Sequence, residues 1–207
     1  VAAGQGALVD PEAVRRLMEP VAPAGFILYH WNLPSYKETA LLTKELQRVH
    51  SELPGAPPAN LLFAVDQEGG RVANLRFPQQ AQFSSAFQLG RRDDERYVES
   101  AAYISATDLR RVGIRMNFAP VLDLYPKEDR TIIGDRSFGG ETDLVSRLGA
   151  AFIRGMLDAG VVPVAKHFPG HGVTTVDSHG SLPVSDRTKE SLMERELLPY
   201  RDALTAG

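Results

Sequence analysis

Val161-Val162-Pro163-Val164-Ala165-Lys166-His167-Phe168-Pro169-Gly170-His171-Gly172 is an apolar, β-branched run that ends in lysine, histidines and glycines. Five apolar residues are too few for a helix and suit a buried strand. Just before them, Leu144, Leu148, Phe152 and Met156 recur every four residues, which predicts an amphipathic helix stopped at Gly160. Helix, strand and then polar loop is the order of a parallel βαβ unit. The loop continues as Val173-Thr174-Thr175-Val176-Asp177-Ser178-His179, and the whole stretch holds three of the five histidines in the chain.

The same order repeats upstream. Asp10-Pro11 is an N-cap followed by proline at the first helical position, with Val14, Leu17 and Met18 on one face. Residues 26–29 read as a strand. Ser35 and Glu38 form a capping-box pattern that opens a helix buried through Leu42, Leu46 and Val49. Residues 60–65 read as a buried strand that finishes at Asp66-Gln67-Glu68-Gly69-Gly70-Arg71, with a loop after it. Val98, Ala102, Ser105, Leu109 and Val112 keep a helical period up to Gly113, and residues 116–124 form a strand ending at Asp123. A last helix runs through Leu192 and Leu197 and is disturbed at Pro199.

Strand and helix alternate, with about five strands expected, and the polar residues cluster just after the strands. Parallel α/β folds build their sites there. Two architectures fit: a (β/α)₈ barrel of which about the first five units are present, or an open doubly wound sheet. No Gly-x-Gly-x-x-Gly fingerprint follows the first strand, which counts against the second.

With 207 residues, 43% of them hydrophobic, the chain can bury a real core. A net charge of -3 offers no attraction for nucleic acid or an acidic membrane surface. The absence of cysteine excludes disulfides and thiolate metal sites. No apolar run approaches the roughly 20 residues needed to span a bilayer. The cytoplasm is the favoured compartment, with secretion the alternative, because the chain starts at Val1 and its natural N-terminus is expected to be missing.

Asp177 stands two residues from His179, so its carboxylate can fix the imidazole tautomer and stabilise its protonated form, as suits a general acid–base. A surface loop with a local side-chain turn is the competing reading. His167 and His171 are four apart, but Pro169-Gly170 prevents the helix that would make them a zinc pair. Asp66, Glu68 and Arg71 can make paired hydrogen bonds to sugar hydroxyls, or simply hold a turn. Arg136 is a second such clamp or a structural arginine. Asp123 is read as an organiser of neighbouring loops. No nucleophile elbow or phosphate loop is present.

Taken together, Asp66-Gln67-Glu68-Gly69-Gly70-Arg71-Val72, Asn117-Phe118-Ala119-Pro120-Val121-Leu122-Asp123, Gly134-Asp135-Arg136-Ser137-Phe138-Gly139, Lys166-His167-Phe168-Pro169-Gly170-His171-Gly172 and Asp177-Ser178-His179 resemble glycoside hydrolase family 3, specifically its β-N-acetylglucosaminidases. The resemblance covers nearly the whole chain and keeps the order of the family's motifs. It implies a (β/α)₈ TIM-type barrel that releases terminal β-linked N-acetylglucosamine with retention, from peptidoglycan fragments or chitooligosaccharides. By matching position it implies His179 as acid–base and Asp177 as its partner. It implies Asp66, Arg136, Lys166 and His167 as holders of the sugar hydroxyls, with Arg71 supporting the pocket. It implies no metal or organic cofactor, and leaves His171 without a role.

Two departures accompany it. Val173 stands where the family usually has aspartate or asparagine, which puts the hydrogen bonding of the loop in doubt. The family's nucleophilic aspartate lies after a later strand, so residues 1–207 are expected to be the N-terminal portion of the barrel, truncated at both ends. Such a piece exposes an open sheet edge and is expected to self-associate, whereas the full-length protein is expected to be a monomer. A sugar-binding protein lacking the nucleophile and a β-glucosidase of the same family are the alternatives.

Overall fold

The computed structural model describes residues 10–207 except 57–58, 79, 81, 129–131, 173, 175–181, 183 and 186. Helix α1 (Pro11–Met18) begins as expected: the Asp10 side chain accepts from the Glu12 N–H at 3.0 Å, and Met18 is buried. Strand β1 (Gly25–Ile27) follows, then helix α2 (Tyr36–Ser51), capped by Ser35. The Ser35 hydroxyl accepts from the Glu38 N–H and donates to the Glu38 carboxylate at 2.7 Å, so the box closes side chain to side chain. Leu46 and Val49 are buried as expected, Leu42 is half-buried, and Thr39 and Thr43 complete the inward face.

Strand β2 (Leu62–Val65) carries the buried run. The segment after it forms a hairpin that the sequence pattern does not announce. Strands β3 (Gln67–Gly69) and β4 (Val72–Ala73) pair antiparallel about Gly69 and Gly70, whose φ values of 97° and 54° favour glycine. Helices α3 (Ala86–Arg92) and α4 (Glu95–Arg111) come next.

Strand β5 spans only Met116–Asn117, although residues 116–124 were expected to continue it. Pro120 has no N–H to give the ladder, and the Ala119 N–H bonds the Asn117 carbonyl at 2.9 Å instead. Pairing resumes beyond the break: Pro120 accepts from the Lys166 N–H, Leu122 donates to the Lys166 carbonyl at 2.7 Å, and Val121 bridges Lys166 in parallel. Helix α5 (Thr142–Asp158) buries Val145, Leu148, Phe152 and Met156 and ends before Gly160 at φ 76°. Strand β6 (Val162–Pro163) is likewise short, with Val164 donating to the Asn117 carbonyl past its end.

The expected last helix is two helices, α6 (Lys189–Glu194) and α7 (Leu198–Ala206). Pro199 sits in the first turn of α7, where a missing N–H costs nothing, so it starts a helix rather than disturbing one.

Strands β1, β2, β5 and β6 form one parallel sheet in that order. Among the described residues there are thus four parallel strands of the five expected, and residues 1–9 lie outside them. The strands and their helices enclose one core that includes Val65, Leu109, Ile114, Leu148, Met156 and Val161. Helices α4 and α5 approach closely at Gly155, where a Cβ would lie 2.2 Å from the Glu99 carbonyl oxygen. Among the described residues, no helix is long and apolar enough to cross a membrane.

Candidate active site

Because β2, β5 and β6 are parallel neighbours, the residues that follow them emerge on one side. Asp66 follows β2 directly, Asp123 follows the Val121 bridge, and Lys166 and His167 follow the β6 run. The peptides Lys166–His167, Ala119–Pro120 and Phe168–Pro169 are cis. Glu68 comes from β3, and Arg136 from a single 3₁₀ turn, Gly134–Arg136.

These residues form one connected network. The Lys166 ammonium bridges two carboxylates, Asp66 at 2.5 Å and Glu68 at 2.6 Å. Arg136 grips Glu68 through Nε and Nη2, both at 2.8 Å, and its Nη1 donates to the Ile132 carbonyl at 2.7 Å. Nη2 also lies 3.2 Å from His167 Nε2. On the other side of the ring, His167 Nδ1 is 2.5 Å from Asp123 Oδ2. The second Asp123 oxygen, Oδ1, accepts the backbone N–H of His171.

The network has two layers. Asp66, Lys166 and His167 are half-buried and reach the open side, whereas Glu68 and Asp123 are buried beneath them. Burial works to raise the Glu68 carboxyl. The hydrogen bond from Arg136 and the charges of Lys166 and Arg136 outweigh it and hold that carboxyl below the usual carboxylate range. Burial also pulls on the Arg136 guanidinium, but the hydrogen bond and charge of Glu68, with the charges of Asp123 and Asp66, push it up. Burial, then the charge of Asp123, raises the phenol of the nearby Tyr200 above its ordinary value. The upper layer therefore offers a fixed ammonium, a carboxylate and an imidazole, which can donate to and accept from hydroxyl groups.

Several contacts brace this set. The Ser137 hydroxyl donates to the Asp123 carbonyl at 2.6 Å and accepts from the Gly139 N–H, pinning the Arg136 turn. Arg71 pairs with Asp135 at 2.7 Å and donates to the Ile133 carbonyl, so it supports the Arg136 turn from outside. Buried Asn117 exchanges two 2.9 Å hydrogen bonds with the backbone of Gln67, and the Gln67 side chain accepts from Asn74 and Leu75. Together these hold the β3–β4 hairpin over the sheet.

Of the residues singled out from sequence, Asp66, Arg136, Lys166 and His167 are brought together, with Arg71 behind Arg136. Asp177, His179 and Val173 lie outside the described residues. The His167 and His171 rings meet edge to face at 5.9 Å, and among the described residues no three ligand-type side chains are grouped to hold a metal ion. Sequence reasoning missed the Glu68–Arg136 and Asp123–His167 pairs. The signals were present: Glu68 stands two residues from Asp66, hence on the same side of an extended chain, and Asp123 is a lone carboxylate ending an apolar run.

Residues 9–207 match the glycosyl hydrolase family 3 N terminal domain. A β-hexosaminidase of Thiobacillus denitrificans is 38% identical over 198 residues, covering 93% of this chain and 53% of that protein. The β-hexosaminidase LpqI of Mycobacterium tuberculosis is 40% identical over 151 residues, covering 73% of this chain and 39% of that protein. Among solved structures, a family 3 β-N-acetylglucosaminidase from a Paenibacillus species superposes with a TM-score of 0.86 at 39% identity, covering 99% of this chain and 38% of that one. The chain spans about half the length of several curated relatives it matches, 53–57% of three of them. The parallel α/β sheet is accordingly of TIM-barrel type, and the chain belongs to glycoside hydrolase family 3.

Proposed function

We propose that the complete protein is a retaining exo-β-N-acetylglucosaminidase, and that residues 1–207 supply the sugar-holding part of its barrel. The observation that carries this reading is the convergence of Asp66, Arg136, Lys166 and His167 at one side of the parallel sheet. The names of the relatives support it, as does the ordered set of motifs.

In this proposal Asp66, Lys166 and His167 bind the hydroxyls of the terminal sugar, with Arg136 locking the set. His179, charged and steadied by Asp177, gives its proton to the glycosidic oxygen as the bond to the anomeric carbon breaks. An aspartate outside these 207 residues attacks that carbon and forms a glycosyl–enzyme ester. The now neutral His179 takes a proton from water, whose oxygen attacks the anomeric carbon and releases the aspartate. Peptidoglycan fragments or chitooligosaccharides are the substrates, and no metal or organic cofactor enters the steps.

The test uses the intact protein on a natural β-linked disaccharide, because an activated aryl leaving group needs less help from an acid. His179→Ala is expected to lower turnover by about 10²–10⁴-fold. Full turnover in that variant would remove the acid–base assignment. Faster cleavage of the matching glucoside than of the N-acetylglucosaminide would turn the reading to a β-glucosidase.

A further inference from the structure

We propose that Asp123 is a positioning residue whose one buried carboxylate sets the tautomer of His167 and anchors the root of the histidine loop at the same time. The proposal deepens the sugar-site reading above and rests on it for the kinetic consequence only.

The argument is one of donors and acceptors. Asp123 is an acceptor at both oxygens, and its side chain is fully buried. Oδ2 faces His167 Nδ1 at 2.5 Å, so Nδ1 carries the proton. On the far side of the ring, Nε2 faces Arg136 Nη2 at 3.2 Å, and a guanidinium has only donors. One Nη2 hydrogen goes to Glu68 Oε1 at 2.8 Å, leaving the other for the imidazole. Nε2 must therefore hold a lone pair, since an imidazolium would set two donors against each other. Both neighbours demand the same species: neutral His167, protonated at Nδ1.

A consequence for binding follows. A hydroxyl that reaches Nε2 has to donate to its one lone pair, taking the place of the Arg136 N–H there, while Lys166 and Arg136 themselves can only donate. The site thus selects a group able to give and take a proton at once, which a sugar hydroxyl does. Asp123 also holds the His171 N–H with Oδ1, so ring orientation and loop root hang on a single side chain. The closeness of the loop here is tight: a Cβ on Gly172 would lie 2.3 Å from the Leu124 carbonyl oxygen.

Asp123→Asn is the informative change, because it keeps the shape and removes one acceptor. The amide oxygen can take the His167 N–H or the His171 N–H, not both. Turned the other way, its NH₂ faces Nδ1 and forces the proton to Nε2, against Arg136. In the intact enzyme, kcat/KM is expected to fall by about 10- to 100-fold, the worth of one hydrogen bond to a charged group. His167→Gln should lower it as well, and the double variant should lose less than the product of the two single losses, because the part of the Asp123 effect that runs through His167 is then already gone and only the hold on the His171 N–H remains. Multiplicative losses would mean that Asp123 acts independently of His167 and would overturn the proposal.

A second measurement does not depend on activity or on a folded variant. Nitrogen NMR of the imidazoles in the wild-type protein near about pH 7 should show His167 with a protonated Nδ1 and a lone pair on Nε2. The opposite tautomer, or an imidazolium, would sink the idea. If the tautomer is as stated but no N-acetylglucosaminide is cleaved, it is the functional reading that fails and not this one.

Discussion

Arg147, on α5, reaches three carboxylates: Asp143 at 2.9 Å, Asp93 at 3.0 Å and Glu95 at 3.2 Å. Arg136 reaches one, Glu68, through two parallel bonds of 2.8 Å. Counting partners would rank Arg147 first. Exposure reverses the order, since the Arg147 side chain is 37% exposed and Asp143 83%, against 16% for Arg136 and 4% for Glu68. Water and salt screen the outer cluster, and its long side chains lose entropy when held in place. The inner pair is shielded, planar and bidentate, and neither partner can be removed without stranding a buried charge. The outer cluster decorates the face of a helix pair; the inner one sets the floor of the site.

Removing the carboxylate of Glu68 should break this contrast most severely. Glu68→Gln is expected to cost about 3–5 kcal/mol at neutral pH, measured by chemical denaturation, because Arg136 and Lys166 lose a buried counter-charge. The sign with pH is fixed by the lowered carboxyl of Glu68. A group whose folded-state pKa is depressed stabilises fully above its unfolded value, about 4.3 for glutamate, and loses that contribution as pH falls through the folded one. The gap between wild type and Glu68→Gln should therefore be widest near neutrality and close in acid. A gap that stays constant into acid would show that the charge of Glu68 is not what matters.

Next in size is Gly155→Ala, which asks whether α4 and α5 are held by packing or by the ion pairs on their surface. The new Cβ would meet the Glu99 carbonyl oxygen at 2.2 Å, so the helices must part. A loss of about 1–3 kcal/mol is expected. A neutral result would mean that the helix pair yields easily and that its surface ion pairs hold it together.

The smallest effect belongs to Arg147→Ala, about 0–1 kcal/mol despite three partners. It should vanish in molar salt, where the screening length is about 3 Å. A loss as large as that of Glu68→Gln, persisting in salt, would erase the distinction between the two arginines.

Much of the chain order was readable from local chemistry. Asp10-Pro11, Ser35 and Gly160 mark helix ends because caps and left-handed stops are local events. The α5 face was legible because Leu144, Leu148, Phe152 and Met156 repeat at the helical period. The shortness of β5 was missed, since a proline was read as part of a strand whose ladder it interrupts. The β3–β4 hairpin was missed because two or three residues carry no periodicity, and its hold on the sheet comes from Asn117, some 50 residues away.

The sequence by itself determined the family, the parallel βα order and the kinds of group at the strand ends, because these depend on residue type and on neighbours within a few positions. Only the tertiary structure decided how those groups are shared out. Lys166 meets Asp66 from 100 residues away, Arg136 meets Glu68 from 68 and His167 meets Asp123 from 44. Which carboxylate takes which cation depends on the register of adjacent strands and on where Pro120 lets the ladder restart. Those are long-range facts, and they turn two residues that sequence reading left at the margin, Glu68 and Asp123, into the supports on which Asp66, Lys166 and His167 stand.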